Sequence, residues 1–155
     1  MSLQKLLKDL EVQGKIKKQQ TDDIYLNGLL HAANINFKAS TDNLNKYSEV
    51  AFKSAYEGLL QLSRVILLIN SYRPTDGEQH RTTFIVAGAF LGDEFENLII
   101  RIDKYRKRRN ESIYNPIDGI SVEEAKSILE TTKKYRQAVS EYLKSLDVQL
   151  DLFDI

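Results

Sequence analysis

Residues 48–70, SEVAFKSAYEGLLQLSRVILLIN, decide the fold. Ala51, Ala55, Gly58, Leu59, Leu62, Val65, Ile66 and Ile69 recur at three- and four-residue steps, which lays them along one side of a helix. Leu60, Leu67 and Leu68 fall elsewhere on the same helix, so its second half is apolar nearly all round. Such a helix has to be covered from several directions, and it is expected at the centre of the molecule. Its longest uninterrupted apolar run, Val65 to Ile69, is far shorter than the roughly 18 residues a membrane span requires.

The flanking segments supply the cover. Upstream, Leu26, Leu29, Leu30, Ala33 and Phe37 mark an amphipathic helix over Asp22 to Ala39, with Thr21 or Asp22 as its N-cap. The basic stretch from Leu3 to Lys18 reads as a further, weaker helix. Downstream, a polar connector around Pro74 and Gly77 precedes a short helix over Gln79 to Phe90. Phe95, Leu98, Ile102 and Tyr105 then carry a helix from Asp93 to about Ser112. A second connector holds Pro116 and Gly119. The last helix opens at Ser121-Val-Glu-Glu124, a Ser-x-x-Glu capping box, and runs to Leu146 on the stripe Ala125, Ile128, Leu129, Thr132, Tyr135, Val139 and Tyr142. No strand alternation and no internal repeat is visible. The expected fold is all-α, an up-and-down bundle of four to five helices over residues 1–146, with 147–155 as a C-terminal tail.

Composition bounds the chemistry. The 155 residues contain no cysteine, which removes disulfide frameworks and thiolate chemistry. The only histidines, His31 and His80, are isolated, and with no His-x-x-x-His or Asp-x-Asp spacing neither a metal nor a cofactor is expected. His31 is expected on the rim of a core face. His80 lies in or just after a polar turn, where function often resides. Twenty-two basic residues balance 22 acidic ones, so nucleic-acid binding has to come from local segregation of charge. The opening MSLQKLLKDLEVQGK holds no uninterrupted apolar h-region, and a cytoplasmic location is expected.

Charge is segregated in Arg101-Ile-Asp-Lys-Tyr-Arg-Lys-Arg-Arg109, six cations against one anion at a helix C-terminus. Cations there complement the negative end of the helix dipole, as Asp93, Glu94 and Glu96 complement its start. Arg109 departs from that pattern, because the stripe Phe95, Leu98, Ile102, Tyr105 continues onto it and puts a guanidinium on the packing face. A guanidinium so placed needs a partner. Two satisfy the expectation: an acidic residue of the last helix, or a second copy of this helix across a dimer seam.

The sequence around it, Arg109-Asn-Glu-Ser-Ile-Tyr114-Asn-Pro, resembles the signature of the HEPN superfamily of helical bundles, an Arg often followed by Asn, Asp or His and then by a His further along. The resemblance extends over most of the chain: a long small-residue-rich helix entered through Tyr47-x-x-x-Ala51, a short helix after a Gly-containing loop with His80, the motif helix and a final helix. Tyr114 holds the place of the motif His. Members with an intact motif look like metal-independent ribonucleases that act as homodimers, and many are toxins paired with a nucleotidyltransferase antitoxin. The resemblance implies a homodimer whose groove binds RNA or a nucleotide-bearing ligand, with Arg109 and Tyr114 as the catalytic pair and Asn110, Arg106, Lys107 and Arg108 on the nucleic acid. A phenol is a poor general base near neutral pH, which favours the alternative of a non-catalytic interaction module.

The tail supplies that alternative with a partner. Gln149-Leu150-Asp151-Leu152-Phe153 resembles the pentapeptide by which bacterial replication and repair proteins hold the sliding clamp. Gln149, Leu150, Leu152 and Phe153 are then expected to form an extended, solvated ligand apart from the core.

Overall fold

The computed structural model describes residues 2–117, 119–148 and 150. Six α-helices are formed: α1 (Leu3–Val12), α2 (Asp23–Asn43), α3 (Ser48–Ile69), α4 (Gln79–Leu91), α5 (Glu96–Tyr114) and α6 (Val122–Ser145). The molecule is mostly helical, and no helix among the described residues is long and apolar enough to cross a membrane.

α3 is the central helix. It packs on α2, α4, α5 and α6, and Leu59, Leu60, Leu62, Val65, Ile66 and Leu67 are all buried. The cover comes from its own chain, with Leu68 and Ile69 near its end left partly buried. α2 and α3 form an antiparallel hairpin: the Ser40 hydroxyl donates to the Ala51 carbonyl at 2.6 Å, and Asn36 Nδ2 donates to Gln61 Oε1 at 2.9 Å. Between these bonds Gly58 lies against the Phe37 ring, leaving no room for a β-carbon. α3 and α6 run parallel in constant register, since Ser48 donates to the Ile120 carbonyl, Ser63 pairs with Tyr135 and Asn70 donates to Tyr142, every pair 72 residues apart. α5 lies antiparallel to α6, with Tyr105 on Ser127 and Thr131 and Arg108 on Glu124.

Local chemistry sets the helix starts. Asp22 is the N-cap of α2, its Oδ1 accepting the Tyr25 N–H at 2.8 Å, and Ser121 with Glu124 closes the expected capping box of α6. Three expectations differ. The first helix ends at Val12, and Ile16–Lys18 instead forms a strand, β1, paired antiparallel with β2 (Tyr72–Pro74) in the connector read as a turn. Three residues are too few to display an alternation. Ile16 and Tyr72 are buried, Lys18 Nζ donates to the Tyr72 hydroxyl at 2.8 Å, and Pro74 stands at the strand's end, where its missing N–H costs nothing. The stripe of α2 packs as read, but His31, expected on the rim of its core face, is exposed, as are Ile24 and Ile35. The third difference lies in the tail, where Leu150 is only 7% exposed and belongs to the core, with Val148 packed against it. Leu150 is therefore docked, not solvated: after α6 stops, an apolar side chain beside an open core edge gains by covering it. Gln149, Leu152 and Phe153 lie outside the described residues.

Three variants test this packing. Gly58→Ala should lower stability by about 1 to 3 kcal/mol, because its β-carbon would meet the buried Phe37 ring at 2.5 Å. Gly28→Ala, on the same hairpin with nothing within 4 Å, should raise it by up to about 1 kcal/mol; thermal denaturation reads both. Leu150→Ala should cost about 2 kcal/mol or more, whereas a freely solvated tail would show no change.

Candidate functional site

A phenol, an imidazole and a guanidinium meet where α3, α4 and α5 converge. Tyr56 lies on the packed side of α3 with its ring edge-on to Phe84 of α4, ring centres 5.8 Å apart. A buried phenol has to find a polar partner. It finds His80, the second residue of α4: Tyr56 Oη and His80 Nδ1 are 2.9 Å apart, and the rings are tilted by 35°. Arg109 closes the group from α5, its guanidinium carbon 5.5 Å from the centre of the Tyr56 ring, within cation–π range. His80 and Arg109 are both half-buried.

The electrostatics follow from that placement. Burial pushes the Tyr56 phenol far above its ordinary range, against the opposing pull of Arg109 and Arg106, so it keeps its proton. Burial also lowers the pKa of His80, and the charges of Arg109, Arg64 and Arg106 lower it further while Glu57 opposes them. The imidazole is thus neutral near pH 7. The direction of its bond to Tyr56 sets its outer nitrogen: with Nδ1–H donating to the phenol oxygen, Nε2 offers a lone pair, and with the phenol donating, Nε2–H is itself a donor. The cluster holds one proton carrier that exists in both roles and one fixed positive charge.

The residues expected from the sequence divide between two faces of α5. Arg109 does sit on the packing face, but it faces an aromatic ring and makes a 3.4 Å contact to Asn110 Oδ1, and it is Arg108 that takes the acid of α6. Arg108 Nε donates to Glu124 Oε1 at 2.7 Å and Nη2 to Oε2 at 3.3 Å. The Arg108 bond, working against partial burial and helped by the Ser121 cap, holds the Glu124 carboxyl below its usual range. Arg108, expected on nucleic acid, is thereby a tie between the end of α5 and the start of α6. Arg106 lies beside Arg109 and is bound to Asp103 at 2.8 Å, with Lys107 at 3.5 Å from the same carboxylate. Tyr114 is 87% exposed. Five residues after Arg109 it stands about 140° round the helix, where it lines a shallow cavity with Lys107, Asn110 and Glu111. The structure therefore separates Arg109 from Tyr114 and brings it to His80.

Tyr56 belongs to no sequence motif; its signal is a tyrosine on an otherwise apolar side of the helix, a buried hydroxyl in need of a partner. Among the described residues no three metal-type side chains converge.

His80 should titrate below the usual histidine range in an NMR pH titration, and Arg109→Gln should move it upward. The sign carries into stability. Because the folded state holds its proton less tightly than the unfolded chain, His80 costs stability as pH falls from the ordinary value of about 6.5 toward its lowered one. Thermal unfolding of a His80→Gln variant should accordingly fall less steeply over that interval. No protein-family model, curated protein or solved structure matches this chain, and the reading of the cluster rests on its own geometry.

Proposed function

We infer that this chain is an RNA-binding bundle of the HEPN type that cleaves RNA as a homodimer, with His80 supplying the proton transfer that Tyr114 is badly placed to supply. One observation carries the reading: the Arg109 guanidinium and the His80 imidazole flank the same buried phenol at the meeting of α3, α4 and α5. Transesterification of RNA needs a base for the ribose 2′-hydroxyl and a positive charge for the phosphorane that forms when that oxygen attacks phosphorus. His80 in its Nε2-unprotonated tautomer takes the 2′-hydroxyl proton. Arg109 stabilises the added charge, and the P–O5′ bond breaks as the leaving oxygen takes the proton back from the imidazolium so formed. Tyr56 holds the imidazole through Nδ1 and fixes which nitrogen faces outward. A second copy meeting the first along α5 would double the charge at the phosphate. Lys107 and Asn110, on the neighbouring face, would touch flanking phosphates.

A second reading, a non-catalytic interaction module, draws on the exposure of Ile113, Tyr114 and Ile117 at the end of α5. Three large apolar side chains together in solvent are the kind of surface a partner such as a nucleotidyltransferase antitoxin would cover.

Cleavage of a fluorescent RNA oligonucleotide separates the readings. His80→Ala and Arg109→Ala should each reduce the rate by about 10²- to 10⁴-fold, while Tyr114→Phe leaves it within a few-fold. The rate should rise with pH through the lowered pKa of His80 and then level. Cleavage unaffected by both alanine variants would place the chemistry elsewhere, and absence of cleavage with retained binding of an antitoxin that Tyr114→Ser abolishes would favour the interaction module.

A further inference from the structure

Outside the cluster, a set of polar side chains lines a cavity of about 520 Å³ where the two-stranded sheet meets the starts of α2 and α4 and the end of α3. Its walls have three chemistries. Arg64 of α3 and Arg73 of β2 contribute two guanidiniums from different elements, against one carboxylate, Asp22, already engaged as the N-cap of α2. Gln19, Gln20 and Gln79 contribute side-chain amides, each with both a donor and an acceptor. Tyr25, Leu67, Leu68 and Pro74 supply an apolar lining, and Tyr25 is an exposed ring at its edge.

Two of these groups are held ready without a partner. Arg73 Nε and Thr21 Oγ1 are buried and make no hydrogen bond. A folded chain seldom leaves such atoms unsatisfied, since each forfeits the hydrogen bonds it would make in water. Both residues line the same cavity, so a bound molecule toward which the two side chains turn would satisfy them together.

We propose that this cavity is a binding site for a phosphorylated nucleoside, separate from the Tyr56, His80 and Arg109 cluster. Two arginines with one unused Nε–H match a phosphate, which accepts several hydrogen bonds in the planar geometry a guanidinium offers. A bare phosphate leaves most of the volume empty, whereas a nucleotide falls within the range that small-molecule pockets enclose. The amides fit the mixed donor and acceptor edge of a base, and Tyr25 offers a face on which a base stacks. Gln79 and Arg64 place one end of the cavity next to His80: Gln79 precedes it in α4, and Arg64 is near enough to act on its charge. The site does not depend on RNA cleavage at the cluster and survives its failure.

The test is titration of the full chain with AMP, GMP, CMP and UMP, followed by amide chemical shifts and calorimetry. At least one should bind saturably below about 1 mM, shifting the amides of 19–22 and 72–75. Adenosine, inorganic phosphate and ribose 5-phosphate should each bind about tenfold or more weakly than the best nucleotide. Arg73→Gln should weaken binding by about 10- to 100-fold, the factor that loss of a charge-assisted hydrogen bond represents. Tyr25→Ser, at an exposed ring that the fold does not need, should weaken it by about fivefold or more. Arg109→Ala should leave it unchanged. A 5′-phosphorylated RNA dinucleotide binding as tightly as the mononucleotide would identify the source as an RNA end, and much weaker binding a free nucleotide. The proposal is overturned if no nucleotide binds by about 5 mM, if ribose 5-phosphate matches the best nucleotide, or if binding ignores Arg73 and Tyr25 but follows Arg109.

Discussion

Everything in the molecule is arranged around the covering of α3. A helix apolar on nearly every side gains free energy only if each side meets another apolar surface, and four other helices are recruited for it. Their places are then fixed by a few directional bonds at its polar points. Ser63 and Asn70 tie it to α6, and Ser48 to Ile120 just before α6, at one constant offset, and Gly58 admits the Phe37 ring of α2. Hydrophobic burial is non-directional, so it explains why α3 is central without choosing an alignment. The hydroxyls and amides choose it, because a slip of either helix would leave buried polar atoms unpaired.

The candidate site is a by-product of that packing. Tyr56 belongs to the core side of α3, and its ring contributes as the neighbouring apolar residues do; only its hydroxyl is exceptional. That hydroxyl draws in His80, and the ring face draws in Arg109. Site and core thus share a residue. A chemically useful imidazole is held in place by an aromatic ring that the fold would bury in any case, and its proton affinity is lowered by the same burial together with the arginines of α3 and α5.

The end of α5 shows how one cationic run serves several purposes. Arg108 ties α5 to the capping box of α6, Arg106 and Lys107 share Asp103, and Arg109 reaches the cluster. Surface pairs of this kind contribute little to stability, but the half-buried Arg108–Glu124 pair also positions the loop that returns the chain to α6, since Arg108 Nη2 donates to the Gly119 carbonyl as well.

The helices, their order, the capping box of α6 and the centrality of α3 were legible in the sequence, because each follows from interactions between residues three or four apart or from the need to bury an apolar face. The place of Arg109 on the packing face was legible on the same ground. What the sequence did not reveal involves residues distant along the chain: the pairing of Ile16–Lys18 with Tyr72–Pro74, the docking of Leu150, and the meeting of Tyr56 with His80. Three-residue strands are too short to have a period, and an apolar residue after a helix end is equally suited to solvent-facing attachment or to the core. The motif spacing set Tyr114 beside Arg109 in sequence, yet a five-residue step turns them to different faces. Only the crossing of α3, α4 and α5 decided which side chains share a site, because contacts between elements depend on the register of packed surfaces, and no local pattern encodes that register.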